Sequence, residues 1–165
     1  MRGRDHGNPR PSLTDRGLTF GWEPLDRVMR EPNFGDLARA HWEEAGILKD
    51  VMPLDLDVER MLSLADQGIY RVWAARDGDN LAGYIGFLFS ASLQFRSTRT
   101  VYEDTFTLAP AYREGWNGYR LLATAIDAIR QLDVKVIVFS VPDRLAPLFD
   151  RLGCETSGRL RIKVL

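Results

Sequence analysis

One cysteine, Cys154, leaves this chain with neither an internal disulfide nor a cysteine zinc cluster. No apolar run approaches the roughly 18 residues of a membrane-crossing helix, and the start lacks the apolar core of a secretory leader. The charges nearly cancel, 22 Lys and Arg against 23 Asp and Glu, so no global field draws the chain toward nucleic acid or anionic membrane. Two nucleotide-binding signatures are missing as well. G-x-G-x-x-G does not occur, and neither Gly-Lys-Ser nor Gly-Lys-Thr is present. The arginines that do cluster, Arg2, Arg4, Arg10 and Arg16, lie in a Gly- and Pro-rich segment, 1–17, which reads as a flexible tail. A basic arm touching nucleic acid is the alternative there, but the remainder carries no basic stripe, which argues against a nucleic-acid partner. The expectation is a cytoplasmic protein, monomer or homodimer, with residues 18–165 as a single domain.

The stretch from Tyr102 to Leu132 organises that domain. An apolar strand gives way to a short loop with two glycines, Arg113-Glu114-Gly115-Trp116-Asn117-Gly118, and a long amphipathic helix follows at once. Backbone N–H groups at a helix start have no partner within the helix, and the helix dipole favours negative charge there. A strand, a glycine loop and a helix N-terminus in that order make a place to hold an anion. Leu121, Leu122, Ala125, Ile126 and Ile129 recur at the spacing of one buried helical stripe.

The other elements are read from periodicity. Leu18 to Trp22 suits a short strand ended by Pro24. Phe34, Leu37, Ala38, His41, Trp42 and Ala45 line one face of a helix stopped by Gly46. Val58, Met61, Leu62 and Ala65 repeat the helical spacing, with Asp55 or Asp57 as N-cap and Gly68 at the end. Strands are expected over Ile69–Arg76, Leu81–Leu93 and Thr100–Leu108. The first two are joined by the Asp77-Gly78-Asp79-Asn80 turn, and Gly83 and Gly86 mark a bulge or close approach in the second. Val134–Val141 is almost wholly apolar, as for a strand covered on both faces. A short helix closed by Gly153 follows, and Cys154–Leu165 alternates as a last strand, where Cys154 suits a small buried position rather than a nucleophile. Three strands in a meander, then strand–helix–strand with a parallel crossover, give a mixed α/β domain.

From about Trp22 to Leu165 the chain resembles the GNAT acyltransferases, and within them the branch common in tailed phages and prophages. The resemblance rests on His41-Trp42-x-Glu44, the hairpin WAARDGDNLAGY, Asp104-x-x-x-Leu108-x-Pro110, Arg113-x-Gly115-x-x-Gly118 with Leu121-Leu122, and LFDRLG through Lys163. In the more familiar family loop a glycine stands where this chain has Trp116. The resemblance implies a mostly antiparallel twisted sheet with helices on both faces and a splayed parallel pair around the cofactor loop. It implies acetyl-CoA as cofactor, held by main-chain groups near Leu108, by Arg113, Glu114, Gly115, Trp116, Asn117 and Gly118, and beside Phe149. The reaction it implies is direct attack of an amine on the thioester, with a protein lysine or N-terminus, a polyamine or a modified nucleobase as acceptor.

Such a reaction requires a group that takes the ammonium proton, and Asp104 matches the acidic position of the phage branch. Strict alternation puts Asp104 on one strand face with Tyr102, Phe106 and Leu108, and Glu103 on the other. The same Asp104 could instead end a hydrogen-bond network. His41 and Glu44 are helpers across the cleft, although a histidine in an apolar stripe also suits a satisfied core residue. Many family members have a tyrosine as general acid where this chain has Phe149, and the phage branch has more polar residues where this chain has Ser92, Gln94 and Phe95. A second reading follows: a GNAT-fold phage protein without catalysis, serving in the virion or in host interaction.

Overall fold

A computed structural model describes residues 17–91, 94, 96–158 and 163. The expected tail falls outside these residues except for Gly17, as do Ser92 and Phe95. Among the described residues five strands form one sheet in sequence order: β1 (Thr19–Glu23), β2 (Tyr70–Asp77), β3 (Asn80–Ala91), β4 (Arg99–Leu108) and β5 (Val136–Val138). Every neighbouring pair is antiparallel except β4–β5, which is parallel. The helix α4 (Asn117–Arg130) makes the crossover between those two strands.

The helices divide by face. On one side α4 buries Leu121, Leu122, Ala125 and Ile129, each at 0% exposure, against Ile85, Phe87, Val101 and Leu108. Burying a side chain of leucine or isoleucine size in this way contributes about 1.5–3 kcal/mol. Phe149 of α5 (Ala146–Arg151) joins the same cluster. The other face carries α1 (Leu25–Met29), α2 (Phe34–Ala45) and α3 (Val58–Asp66), packed on Tyr70, Val72, Ala74, Leu81 and Tyr84. Asp57 caps α3, its carboxylate accepting the Arg60 N–H at 3.0 Å. The short α1 has too few residues for a helical period to be read from sequence.

Two expected strands differ. Of the apolar run 134–141 only Val136–Val138 pairs, at the edge of the sheet among the described residues, with Val136 and Val138 exposed rather than covered on both faces. Residues 154–158 adopt no strand, and most of the expected strand beyond them lies outside the described residues.

The β3–β4 ladder contains the feature that matters most for the site. Gly86 pairs with Thr105, yet its neighbour Phe87 pairs with Glu103, so Asp104 is an extra residue on β4 without a ladder partner. This bulge breaks the side-chain alternation. Val101 before it and Phe106 and Leu108 after it all belong to the cluster under α4, although Val101 and Phe106 are an odd number of residues apart.

Candidate active site

The parallel β4–β5 ladder ends at the pair Tyr102–Val138. Beyond it the chains part, and a cavity of about 460 Å³ opens between the end of β4, the start of α4, the C-terminal half of α2 and residues 140–151. That volume lies in the range of small-molecule sites. His41, Glu44, Glu103, Leu108, Arg113, Gly115, Trp116, Gly118 and Phe149 are among the lining residues.

Pro110–Tyr112 makes a 3-10 turn after β4, and Gly115 then takes a φ of 70°, a left-handed conformation that strains any residue with a Cβ. The chain enters α4 with no side-chain cap at Trp116, so the first N–H groups of the helix are not satisfied by a capping side chain. Asn117 is buried and its side-chain amide donates to the Tyr112 carbonyl at 3.2 Å, which ties the turn to the helix start. Its side chain is therefore structural, which leaves its main chain as the part able to face an anion. Glu114 is exposed and does not line the cavity.

Arg113 acts as a clamp. Its Nε donates to the Leu108 carbonyl at 2.8 Å and its Nη1 pairs with the Glu44 carboxylate, fastening the end of β4 to α2. Two further cations reach the cavity from the C-terminal region: Arg151, whose guanidinium lies 5.4 Å from the Trp116 ring, and Arg144, 3.8 Å from Glu44. Arg113 and Arg144 share the Glu44 carboxylate, and Arg151 is a further cation beside the cavity. Sequence reading missed Arg144 and Arg151, because only the fold brings that segment beside the glycine loop.

The acids are arranged differently from the sequence expectation. Glu103 lines the cavity with Phe106 and Leu108, and its carboxylate accepts the Ser140 N–H at 3.3 Å. Burial pushes its pKa up to about 7, the Ser140 hydrogen bond opposing and the nearby Asp104 charge adding to the rise. Asp104 does not share the face of Phe106 and Leu108 and is not among the lining residues. It accepts hydrogen bonds from the Tyr70 hydroxyl at 3.0 Å and from the Thr105 hydroxyl at 3.3 Å. The bulge is the reason for this inversion. The odd spacing of buried Val101 from Phe106 was the available signal.

His41 is held by Nδ1, which donates to the Phe106 carbonyl at 3.2 Å and leaves Nε2 as an acceptor in the neutral ring. Burial holds its pKa below the ordinary histidine range, outweighing the Phe106 carbonyl and the charges of Asp104 and Glu44. Phe149 is buried against Phe139, with ring centroids 5.0 Å apart, and offers no acid. Burial and Asp150 push the Cys154 thiol up, away from the thiolate a nucleophile needs.

A parallel pair that splays over a helix N-terminus, with a cavity in the gap, defines the GNAT acetyltransferase class. The chain belongs to that family: residues 35–153 match the acetyltransferase (GNAT) family. Among curated proteins no sequence matches. Solved structures share the fold at low identity. A GCN5-related N-acetyltransferase from Ralstonia eutropha JMP134 is 18% identical with a TM-score of 0.72, covering 90% of this chain and 99% of its own. Glucosamine-6-phosphate N-acetyltransferase from Arabidopsis thaliana is 7% identical with a TM-score of 0.68, covering 90% and 98%. A predicted acetyltransferase with acetyl-CoA from Clostridium acetobutylicum is 10% identical with a TM-score of 0.62, covering 89% and 96%.

Proposed function

We propose that this protein transfers an acetyl group from acetyl-CoA to an amine by direct attack, with Glu103 as the general base. One observation carries the reading: the Glu103 carboxyl stands in the splayed gap between β4 and β5, in the same cavity as the uncapped start of α4, where burial pushes its pKa up to about 7. A base with a pKa close to working pH combines a useful ionised fraction with enough proton affinity.

The cavity fits the cofactor. The N–H groups at the start of α4, with Arg151 and Arg144, would hold the pyrophosphate. Leu108, Phe106, Leu148 and Phe149 offer an apolar wall suited to a pantetheine arm. Bound acetyl-CoA supplies the acetyl carbon and a thiolate leaving group. Glu103 takes the proton that the attacking ammonium must lose, and neutral His41 presents Nε2 as a further acceptor. No tyrosine stands at Phe149 to protonate the thiolate, which is tolerable because a thiol pKa of about 8.5 makes it a fair leaving group. The His41-Trp42-x-Glu44 helix and the Arg113-x-Gly115-x-x-Gly118 loop support placement in the phage-type branch.

The test is release of free CoA thiol from acetyl-CoA across a panel of amines, among them polyamines, lysine peptides and aminoglycosides. Cys154 contributes a constant background. Amine-dependent release that Glu103→Gln lowers about 100-fold supports the reading. A protein that binds acetyl-CoA but releases no thiol with any amine supports the non-catalytic alternative.

A further inference from the structure

Tyr70 is buried at 4% exposure on β2, yet its hydroxyl donates to Asp104 two strands away. It gets there by lying over Gly86 of the intervening strand. A Cβ on Gly86 would stand 2.1 Å from the Tyr70 hydroxyl oxygen, so only glycine leaves the path open. Gly86 is also the residue at which the β3–β4 register shifts. Burial, with the Asp104 charge beside it, raises the Tyr70 pKa, which keeps the hydroxyl a donor at any working pH.

The buried pattern of β4 demands one extra residue between Val101 and Phe106 but does not say where it falls. Placed one residue earlier, the bulge would turn Asp104 toward the cavity and Glu103 away. Placed as observed, it does the reverse. We propose that Tyr70 is a positioning residue: reaching over Gly86 to hold Asp104, it fixes the bulge and so selects Glu103 as the carboxylate that faces the cavity. The proposal rests on the acetyltransferase reading for its consequence, but its geometry can be tested without any acceptor.

The readout is the backbone amide of Ser140, which donates to the Glu103 carboxylate. Followed by ¹H–¹⁵N NMR against pH, it reports whether Glu103 still faces the cavity. Around Glu103 the other charged groups are Asp104 next to it on β4, His41 and Glu44 from α2, Arg113 from the loop before α4, and Arg144 and Arg151 from the 140–151 segment. Apart from the Glu103→Gln control, none of these cavity residues is altered in the test.

In the wild-type protein the Ser140 amide should show an inflection near pH 7, which disappears in Glu103→Gln. Tyr70→Phe, which removes one oxygen, should lose the inflection. Asp104→Ala, at an exposed position, should lose it too, and carries the test if Tyr70→Phe does not fold. Asp104→Asn keeps an acceptor for Tyr70 and should retain the inflection, which separates positioning from charge. A merely structural tyrosine would lower the melting temperature and leave the Ser140 titration intact. An undiminished inflection in folded Tyr70→Phe or in Asp104→Ala overturns the proposal. Calorimetric titration of the same samples with acetyl-CoA tests the function separately, so failure of one idea does not pass for failure of the other.

Discussion

The Glu103 carboxylate on β4 spans the gap to the Ser140 N–H at 3.3 Å, just past the last backbone pair between β4 and β5. Where main-chain pairing stops, an ionisable side chain takes over. The opening between the strands is therefore lined by a carboxyl whose pKa burial raises to about 7.

Replacement of Glu103 by Gln should lower acetyl transfer about 100-fold or more, with acetyl-CoA affinity nearly unchanged. Steady-state kinetics and calorimetry check the two halves. Because the folded pKa lies above the ordinary 4.5, the stability associated with Glu103 is full below pH 4.5 and declines as pH rises through about 7. The melting temperature of wild type should thus fall more between pH 5 and 8 than that of the Gln variant.

Gly118 offers a direct probe of the cradle. A Cβ there would sit 3.8 Å from Phe106 and 3.9 Å from Leu108, ordinary contact distances. Gly118→Ala should therefore fold well and gain up to about 0.5–1 kcal/mol from helix propensity. Gly118→Leu pushes a larger group into the cavity and should weaken acetyl-CoA binding by about 100-fold or more at a similar melting temperature. Differential scanning calorimetry and ligand titration on the two variants separate folding from binding.

Asn117 should matter through its side chain and not through ligand contact. Losing its buried bond to the Tyr112 carbonyl should cost about 1–3 kcal/mol of stability. The loosened loop should also weaken acetyl-CoA binding. Urea unfolding of Asn117→Ala measures the first effect, and calorimetry the second.

How much of this was legible in sequence differs element by element. The stripe of α4 and the glycine loop were readable because a helix that packs on one face shows its period locally. The phase of β4 was not read correctly. Strict alternation runs straight through Asp104, whereas the bulge is held from two strands away by Tyr70 over Gly86. The apolar run 134–141 misled for a different reason. Apolar composition suggests burial, but α1–α3 pack on Tyr70, Val72, Leu81 and Tyr84 of β2 and β3, leaving Val136 and Val138 open at the sheet edge. Arg144 and Arg151 join the site only through tertiary folding, which no local pattern encodes.

Outside the cavity lining, Arg76 is buried on β2 between Glu23 and Glu31, both at 2.6 Å. Arg76→Leu removes the cation that Glu23 and Glu31 share, leaving Glu23 only its longer pair with Arg27, and should destabilise the fold by about 3–5 kcal/mol. The Arg76 hydrogen bond, against burial, holds the Glu23 carboxyl below its ordinary range. Its stabilising contribution is therefore present above the ordinary pKa and lost as pH falls through the depressed one. Acid unfolding followed by circular dichroism should show that dependence in wild type and its loss in the variant.

The most direct measurement is calorimetric titration of the protein with acetyl-CoA and, separately, CoA. Micromolar binding of either, lost in Gly118→Leu and retained in Glu103→Gln, is the expected result. Absence of heat at millimolar ligand would contradict the cradle at the start of α4, and with it the assignment of Glu103 as a catalytic base.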